Sequence, residues 1–471
     1  MRGRWIVLYA LATALAWPTP ALAQWTSVGT GIDYQLFSIT GPNKVFVTRM
    51  DRANTNAFIE SSIGQGRLSG GTEVVSSQFA RYEDALGYWT QTWGTRNDAV
   101  VAINGSYFYF EDGIPFGGVV NSGWYAKRYD DVSGLSGFVW DVNRNATMGL
   151  CVSNPSDRQF ITYANNNTQQ FQGISVARGD NQLIIYTPQY DTTTLTDNTG
   201  SEVLVEMSTP FLIKPTPNFV SGIVRQIRQN AGSTQIPFDC IVLSAKGTAA
   251  STMLANVQVG DTIKVSQEIR HYVADCSTTR SGIDWTKAYA GISGNWVFLR
   301  DGVIQYGIDS TGERHPRTAI GFNSSYVFYL VVDGRQPSWS IGMTIDELAG
   351  FFKNTLDATW ACNQDGGGSS TMVVNGTVMN SPSDGSQRAV ANGMLMCNLV
   401  AKSQSTTFTT GQTVQTTGSA NCRLGPGTNY TSIATIASGT QGTVQTHTLN
   451  GVAAKGSNWW KVTFPSATGW V

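Results

Sequence analysis

Between residues 325 and 376 the alternation of apolar and polar positions changes period twice, and each change predicts an element. Tyr326 to Val332 is an apolar run rich in β-branched and aromatic residues, of strand length, ended by Asp333-Gly334. Thr344 to Asp357 then reads as a helix: Ile345, Leu348, Phe352 and Leu356 fall on one face, and Thr344 with Glu347 forms a capping box. Thr359 to Asn363 is a second short strand, ended by Asp365. After it, Met372 to Val374, Asn375-Gly376 and Thr377 to Met379 predict a hairpin with a type I′ turn. Strand, helix and strand with short joins predict a βαβ unit with parallel strands and a right-handed crossover. Asp333 and Asp365 would then leave the same edge of the sheet, where open α/β sheets place ligands. Strands ~4.8 Å apart, or about twice that for next neighbours, suit a working pair of carboxylates.

The rest of the chain widens this local picture to two blocks. AKSQSTTFTTGQ, residues 401–412, is polar, short-chained and without apolar periodicity, which predicts a linker between a large domain over 24–400 and a small one over 413–471. Fifty glycines, with 17 Tyr, 20 Phe and 14 Trp, favour strands joined by turns over helical bundles. The expected class is α+β: a mixed, sheet-rich large domain containing the βαβ unit, and a small β-barrel behind it. Charge is balanced, 31 Lys and Arg against 32 Asp and Glu, which provides no field for nucleic acid or an acidic membrane surface.

Residues 1–23 read as an export signal, with Arg2 and Arg4 ahead of an apolar stretch and Ala21-Leu22-Ala23 as the cleavage site. No later stretch is long enough for a transmembrane helix. The expected location is secreted, periplasmic or cell-envelope. Six cysteines would then meet an oxidising compartment, and the expected pairs are Cys362 with Cys397 and Cys240 with Cys276. No CxxC spacing occurs and only three histidines exist, so neither a zinc site nor a cofactor is expected. Clustered acidic loops leave room for a divalent cation, but no ligand spacing argues for one.

Candidate chemistry concentrates in CNQDGGGSSTMVVNG, residues 362–376. Gly366, Gly367 and Gly368 permit positive φ and expose backbone N–H groups, either to approach a ligand or to form an anion-binding nest. Ser369 and Ser370 add hydroxyls. The same composition also suits a plain turn feeding the hairpin. Further segments carry polar groups at strand ends: VAINGSYFYF delivers Asn104 into a turn, ERHPRTAIGF brings His315 and Arg317 to the start of a strand, VVDGRQ joins Asp333 to Arg335, and SPSDGSQRAVANG offers Asp384 and Arg388.

Taken in order, AINGSYF, HPRTAIG, VVDGR, TIDELA, NQDGGGSSTMVVNG and SPSDGSQRAVANG resemble the phosphodiester glycosidase family, over roughly residues 95–400 and thinly between Cys151 and Ser281. The resemblance implies hydrolysis of the anomeric C–O bond of a glycosyl-1-phosphodiester, with an N-acetylglucosamine-like sugar, in an envelope or extracellular glycan. Phosphate is a good leaving group, so cations that bind it matter more than a general acid, and Arg317, Arg335 and Arg388 are the candidates. Asp365 and Asp333 are the expected catalytic carboxylates. Asn104, His315, Gly366, Gly367, Ser369 and Ser370 are expected to bind substrate. Several have a structural alternative: Arg317 pairing with Glu313 or a sheet-edge carboxylate, Arg388 as a surface charge, Asp333-Gly334 as a turn, His315 satisfying a backbone group, Asn104 as a glycosylation sequon. Two other functions remain: a catalytically silent glycan-binding or exopolysaccharide-processing protein, and a hydrolase of sugar–sugar bonds, for which no second carboxylate is evident.

The tail, with ANCRLGPGTNY from Ala420, WWKV and a terminal GWV, resembles the bacterial SH3-like module. That resemblance implies a cell-wall or protein ligand. Tyr430, Trp459, Trp460 and Trp470 are expected to divide between core and an aromatic groove, with Cys422 as a buried free thiol.

Overall fold

The computed structural model describes residues 24–129, 137–273 and 276–471, so the export signal expected over 1–23 lies outside the described residues. β-Structure dominates, and among the described residues there are three α-helices, Val75–Tyr82, Thr248–Leu254 and Ile345–Asn354. No helix among them is long and apolar enough to cross a membrane.

One eight-stranded sheet positions the candidate site. Its order is Thr26–Gly29, Ile32–Ile39, Asn43–Asp51, Tyr326–Val332, Arg317–Phe322, Trp360–Asn363, Val297–Arg300 and Val303–Ile304. Period-two alternation assigns the two faces. Phe328, Leu330, Val332, Ala319 and Ala361 pack with Ile345, Leu348, Ala349 and Phe352 of the last helix. Val327, Tyr329, Val331, Ile320 and Cys362 point the other way, into a cluster with Phe58, Val101, Ile103, Val373 and Met394 of a six-stranded sheet. The strand Thr95–Asn104 lies inside that second sheet, between Met372–Val374 and Asn392–Val400.

Several expected elements are present. The helix spans Ile345–Asn354, and Thr344 and Glu347 form both halves of the capping box. Asn375 and Gly376 have φ of 47° and 78°, as a type I′ turn requires, between the paired strands Met372–Val374 and Thr377–Val378. The βαβ expectation needs correction. Tyr326–Val332 and Trp360–Asn363 are not neighbours: Arg317–Phe322 is inserted between them and pairs antiparallel with both. The two flanking strands therefore still run in the same direction, and their C-terminal ends share an edge. The inserted strand begins at that edge, with Arg317 opposite Val332.

A second eight-stranded sheet, which includes Gly200–Met207, Val220–Arg228 and Cys240–Lys246, carries its own core. Residues 413–471 hold a six-stranded antiparallel sheet in the order Thr413–Gln415, Gln441–Val444, Lys461–Thr463, Thr468–Trp470, Ala420–Arg423 and Ser432–Ile436. It is docked on the body: Leu86 and Phe238 share an apolar cluster with Leu449, Val452, Trp459 and Trp470. Lys455 Nζ donates to the carbonyls of Ala80 and Glu83 at 2.8 and 2.6 Å. The segment read as a linker is hydrogen-bonded too, with Ser405 N to Gly451 O at 2.7 Å and Ala453 N to Ser403 O at 2.9 Å. Tyr430, Trp459 and Trp470 pack into this seam, whereas Trp460 lines a separate groove with Phe408 and Phe464.

The cysteines also pair differently from expectation. Cys151 is bonded to Cys276, while Cys240, Cys362, Cys397 and Cys422 are free and buried. Cys362 and Cys397 lie in different sheets, and each thiol is enclosed by apolar side chains that push its pKa up.

Candidate active site

At the shared edge of the first sheet lies an open cavity of about 380 Å³, lined by Tyr107, Phe110, His315, Pro316, Arg317, Arg335, Asp365, Gly366, Gly367, Gly368 and Arg388. Of the expected site residues it brings together His315, Arg317, Arg335, Asp365, Gly366, Gly367 and Arg388. Asp333, Asn104, Ser369 and Ser370 lie behind it.

Asp365 follows the last residue of Trp360–Asn363 by two positions, and its backbone is held from both sides: its N–H donates to Gly105 O at 2.9 Å, and Asn104 Nδ2 donates to its carbonyl at 2.7 Å. Burial pushes its carboxyl pKa up to about 6, opposed by hydrogen bonds from Ser369 and Gly366 and by the charge of Arg388. The glycine loop is less of an open nest than its composition implies. Gly367 N donates to Pro316 O, Ser369 N to Gly366 O and Ser370 N to Gly367 O, so few amides remain for an anion. Close approach is the better reason for glycine here. A Cβ on Gly368 would lie 2.0 Å from Asp384 Oδ2 and 2.3 Å from Arg388 Nη2, and Gly367 has φ of 60°.

The three guanidinium groups differ in how fully they are compensated. Arg317 is buried, with Nε donating to Met343 O at 2.9 Å and Nη2 to Glu313 O at 2.9 Å and Asp309 Oδ2 at 3.4 Å. Its carboxylate partner is thus Asp309 rather than Glu313. Burial lowers the Arg317 pKa and Asp309 raises it. Arg388 pairs with Asp384 at 2.6 Å and lies over the Phe110 ring at 5.2 Å. Arg335 has no carboxylate partner among the described residues; its Nη2 is 3.4 Å from His315 Nδ1, and His315 Nε2 is 3.1 Å from Glu313. Arg335 has φ of 60°, a conformation that non-glycine residues adopt at a cost and that aims its side chain over Gly367.

Asp333 is only 1% exposed and does not line the cavity. Its carboxylate accepts from Trp339 Nε1 at 2.7 Å, Asn380 Nδ2 at 3.0 Å and Ser381 N at 3.0 Å. Asn104 is fully buried, and its Oδ1 accepts from Thr318 Oγ1 and Thr371 N. Both side chains have their hydrogen-bonding capacity engaged within the protein, holding strands and loops in place, and neither is free to face a ligand. Ser369 supports Asp365 and Arg388 from below, with Arg388 Nη1 at 3.4 Å from its hydroxyl, and Ser370 is buried.

Tyr107 and Phe110 are lining residues that the reading of strand ends passed over. The signal was present as the aromatic run Tyr107 to Phe110 immediately after Asn104-Gly105-Ser106. Residues 220–396 match the phosphodiester glycosidase family. The matched segment carries His315, Arg317, Arg335, Asp365 and Arg388 and leaves Asn104 and Tyr107 outside. No curated protein is significantly similar to the chain.

Among solved structures, a hypothetical protein from Synechocystis is similar with a TM-score of 0.53 at 16% identity, over 81% of this chain and 64% of that one. The chain therefore spans under two thirds of that relative. A Burkholderia pseudomallei K96243 protein is similar with a TM-score of 0.50 at 20% identity, over 75% of this chain and 74% of that one. The zebrafish N-acetylglucosamine-1-phosphodiester alpha-N-acetylglucosaminidase catalytic domain aligns with a TM-score of 0.37 at 14% identity, over 80% of this chain and 87% of that one.

Away from this cavity, Glu206, Asp239 and His447 lie close enough together to hold a cation. That place is already served by Lys461 Nζ, 3.4 Å from Glu206 and 3.8 Å from Asp239.

Proposed function

We propose that this protein hydrolyses glycosyl-1-phosphodiesters, releasing a free N-acetylglucosamine-like sugar and a phosphomonoester. The observation that carries the proposal is the cavity itself: one carboxylate, Asp365, faces the same space as Arg317, Arg335 and Arg388, and Arg335 lacks a carboxylate counter-ion among the described residues. A phosphodiester carries one negative charge that a guanidinium fork matches. Bound there, it presents its anomeric carbon to a carboxylate that stabilises positive charge as the C–O bond breaks. The phosphate oxygen leaves as an anion and requires no proton, while water adds to the anomeric carbon and gives up its proton to the Asp365 carboxylate. A single carboxylate on the lining thus meets the demand, which favours this chemistry over cleavage of a sugar–sugar bond, where an acid is needed as well.

In this proposal Asp333 and Asn104 are positioning residues, while Asp365 and the three arginines act on the substrate. The protein works outside the cytoplasm, on an envelope or extracellular glycan, with the Cys151–Cys276 bond supporting an oxidising location. The C-terminal sheet is an SH3-like module that contacts that glycan or a wall-associated protein. The test is turnover of a chromogenic α-glycosyl phosphodiester beside the matched aryl glycoside. Selective turnover of the phosphodiester, lost by at least a hundredfold in Asp365→Asn, is expected. Saturable binding without turnover of either substrate would leave a silent binding protein instead.

A further inference from the structure

Phe110 is 72% exposed at the mouth of the candidate cavity, on a segment that is otherwise tightly held. Residues 107–116 form a small hairpin, with Phe108 bridged to Pro115, Phe116 N donating to Tyr107 O at 2.9 Å and Tyr109 N to Ile114 O at 3.0 Å. Phe108 is buried in the main core, and Tyr109 packs on Phe116 with centroids 4.4 Å apart. The tip is seated against the Gly70–Thr72 segment so closely that a Cβ on Gly70 would lie 2.3 Å from Asp112 O. Phe110 is itself braced from two sides, 5.1 Å from the Phe108 ring and 5.2 Å from the Arg388 guanidinium. A rigid hairpin therefore holds a large apolar ring in water beside a cationic, polar cavity.

A ring held on the rim of a polar cavity offers an apolar face to whatever that cavity binds, as the aromatic walls of ligand pockets do. The ligand group that fits is a pyranose. One face of the ring carries axial C–H bonds, apolar and slightly positive, that suit the negative face of an aromatic ring. The phosphate, by contrast, gains nothing from phenyl and belongs with Arg335 and Arg317. The geometry points to Phe110 as the platform on which the sugar ring stacks, with Arg388 braced behind it. This division of the cavity into an aromatic sugar half and a cationic phosphate half rests on the hydrolase reading for its substrate, but sugar binding can be measured without turnover.

N-acetylglucosamine and inorganic phosphate are titrated separately into the full chain, its Phe110→Ala variant and its Phe110→Trp variant, with binding read by ligand-observed NMR. Phe110→Ala is expected to weaken the sugar about tenfold and to leave phosphate within twofold, while Phe110→Trp keeps the sugar. Three results overturn the platform: no sugar binding by the unaltered chain, sugar affinity unchanged in Phe110→Ala, or sugar and phosphate weakened equally, which would make the ring a mere brace for Arg388. Turnover of the glycosyl phosphodiester is followed in parallel. Its absence alongside Phe110-dependent sugar binding would remove the hydrolase and leave the platform standing.

Discussion

Asp365 ties activity and stability to pH in opposite directions. Its carboxyl titrates at about 6 in the folded protein, against 3.8 as the ordinary value, because burial disfavours the charge. If the carboxylate is the working form, kcat/KM on a phosphodiester, which stays anionic throughout, should rise about tenfold per pH unit below 6 and level off above. A flat profile between pH 5 and 7 would remove Asp365 from the chemistry. For stability the sign reverses. Below about pH 4 the group is protonated in both states; as pH rises toward 6 the unfolded chain releases its proton first, so folding loses free energy, and the loss is complete above 6. Asp365→Asn should therefore unfold at higher urea at pH 8, by on the order of 2 kcal/mol, and match the unaltered chain at pH 4. Arg335 carries the phosphate side of the argument. Arg335→Gln is expected to raise KM at least tenfold with far less effect on melting temperature, since no ion pair is lost.

Among the elements, those with local signals were legible in the sequence. The helix over Ile345–Asn354 has its apolar face and both halves of its cap within a few residues of each other, and Asn375-Gly376 specifies its own turn. The partner of the Tyr326–Val332 strand was not legible, because which strand fills the gap beside it depends on pairing between segments with no shared local signal. Both flanking strand ends still share one edge because the inserted strand runs antiparallel to each of them. Side-chain direction was less legible still. Asp333 reaches the right edge, but Trp339, Asn380 and Ser381 engage its carboxylate, and two of those three come from nearly fifty residues away. Two substitutions test this level. Thr344→Ala should lower stability by about 1 kcal/mol in urea unfolding without altering kcat. Gly368→Ala should displace Asp384 and Arg388 and appear mainly as a raised KM.

Across the whole molecule, the cysteines give a direct check. With Cys151 bonded to Cys276, a thiol reagent should detect no reactive groups in the folded chain and four after denaturation without reductant. The pairings read from the sequence would leave two. Replacing Cys151 and Cys276 with Ser should lower stability by roughly 2–5 kcal/mol, as expected for a bond that closes a long loop. The shared apolar cluster of Leu86, Phe238, Trp459 and Trp470 has a different kind of consequence. A module on a flexible tether lets an enzyme sweep a neighbourhood whose radius its linker sets. Here the C-terminal sheet is cemented to the body, so any polymer it grips is offered to the cavity at one fixed offset. If, as proposed, that sheet grips the glycan, the protein would behave as a ruler, selecting linkages by their distance from the point of attachment.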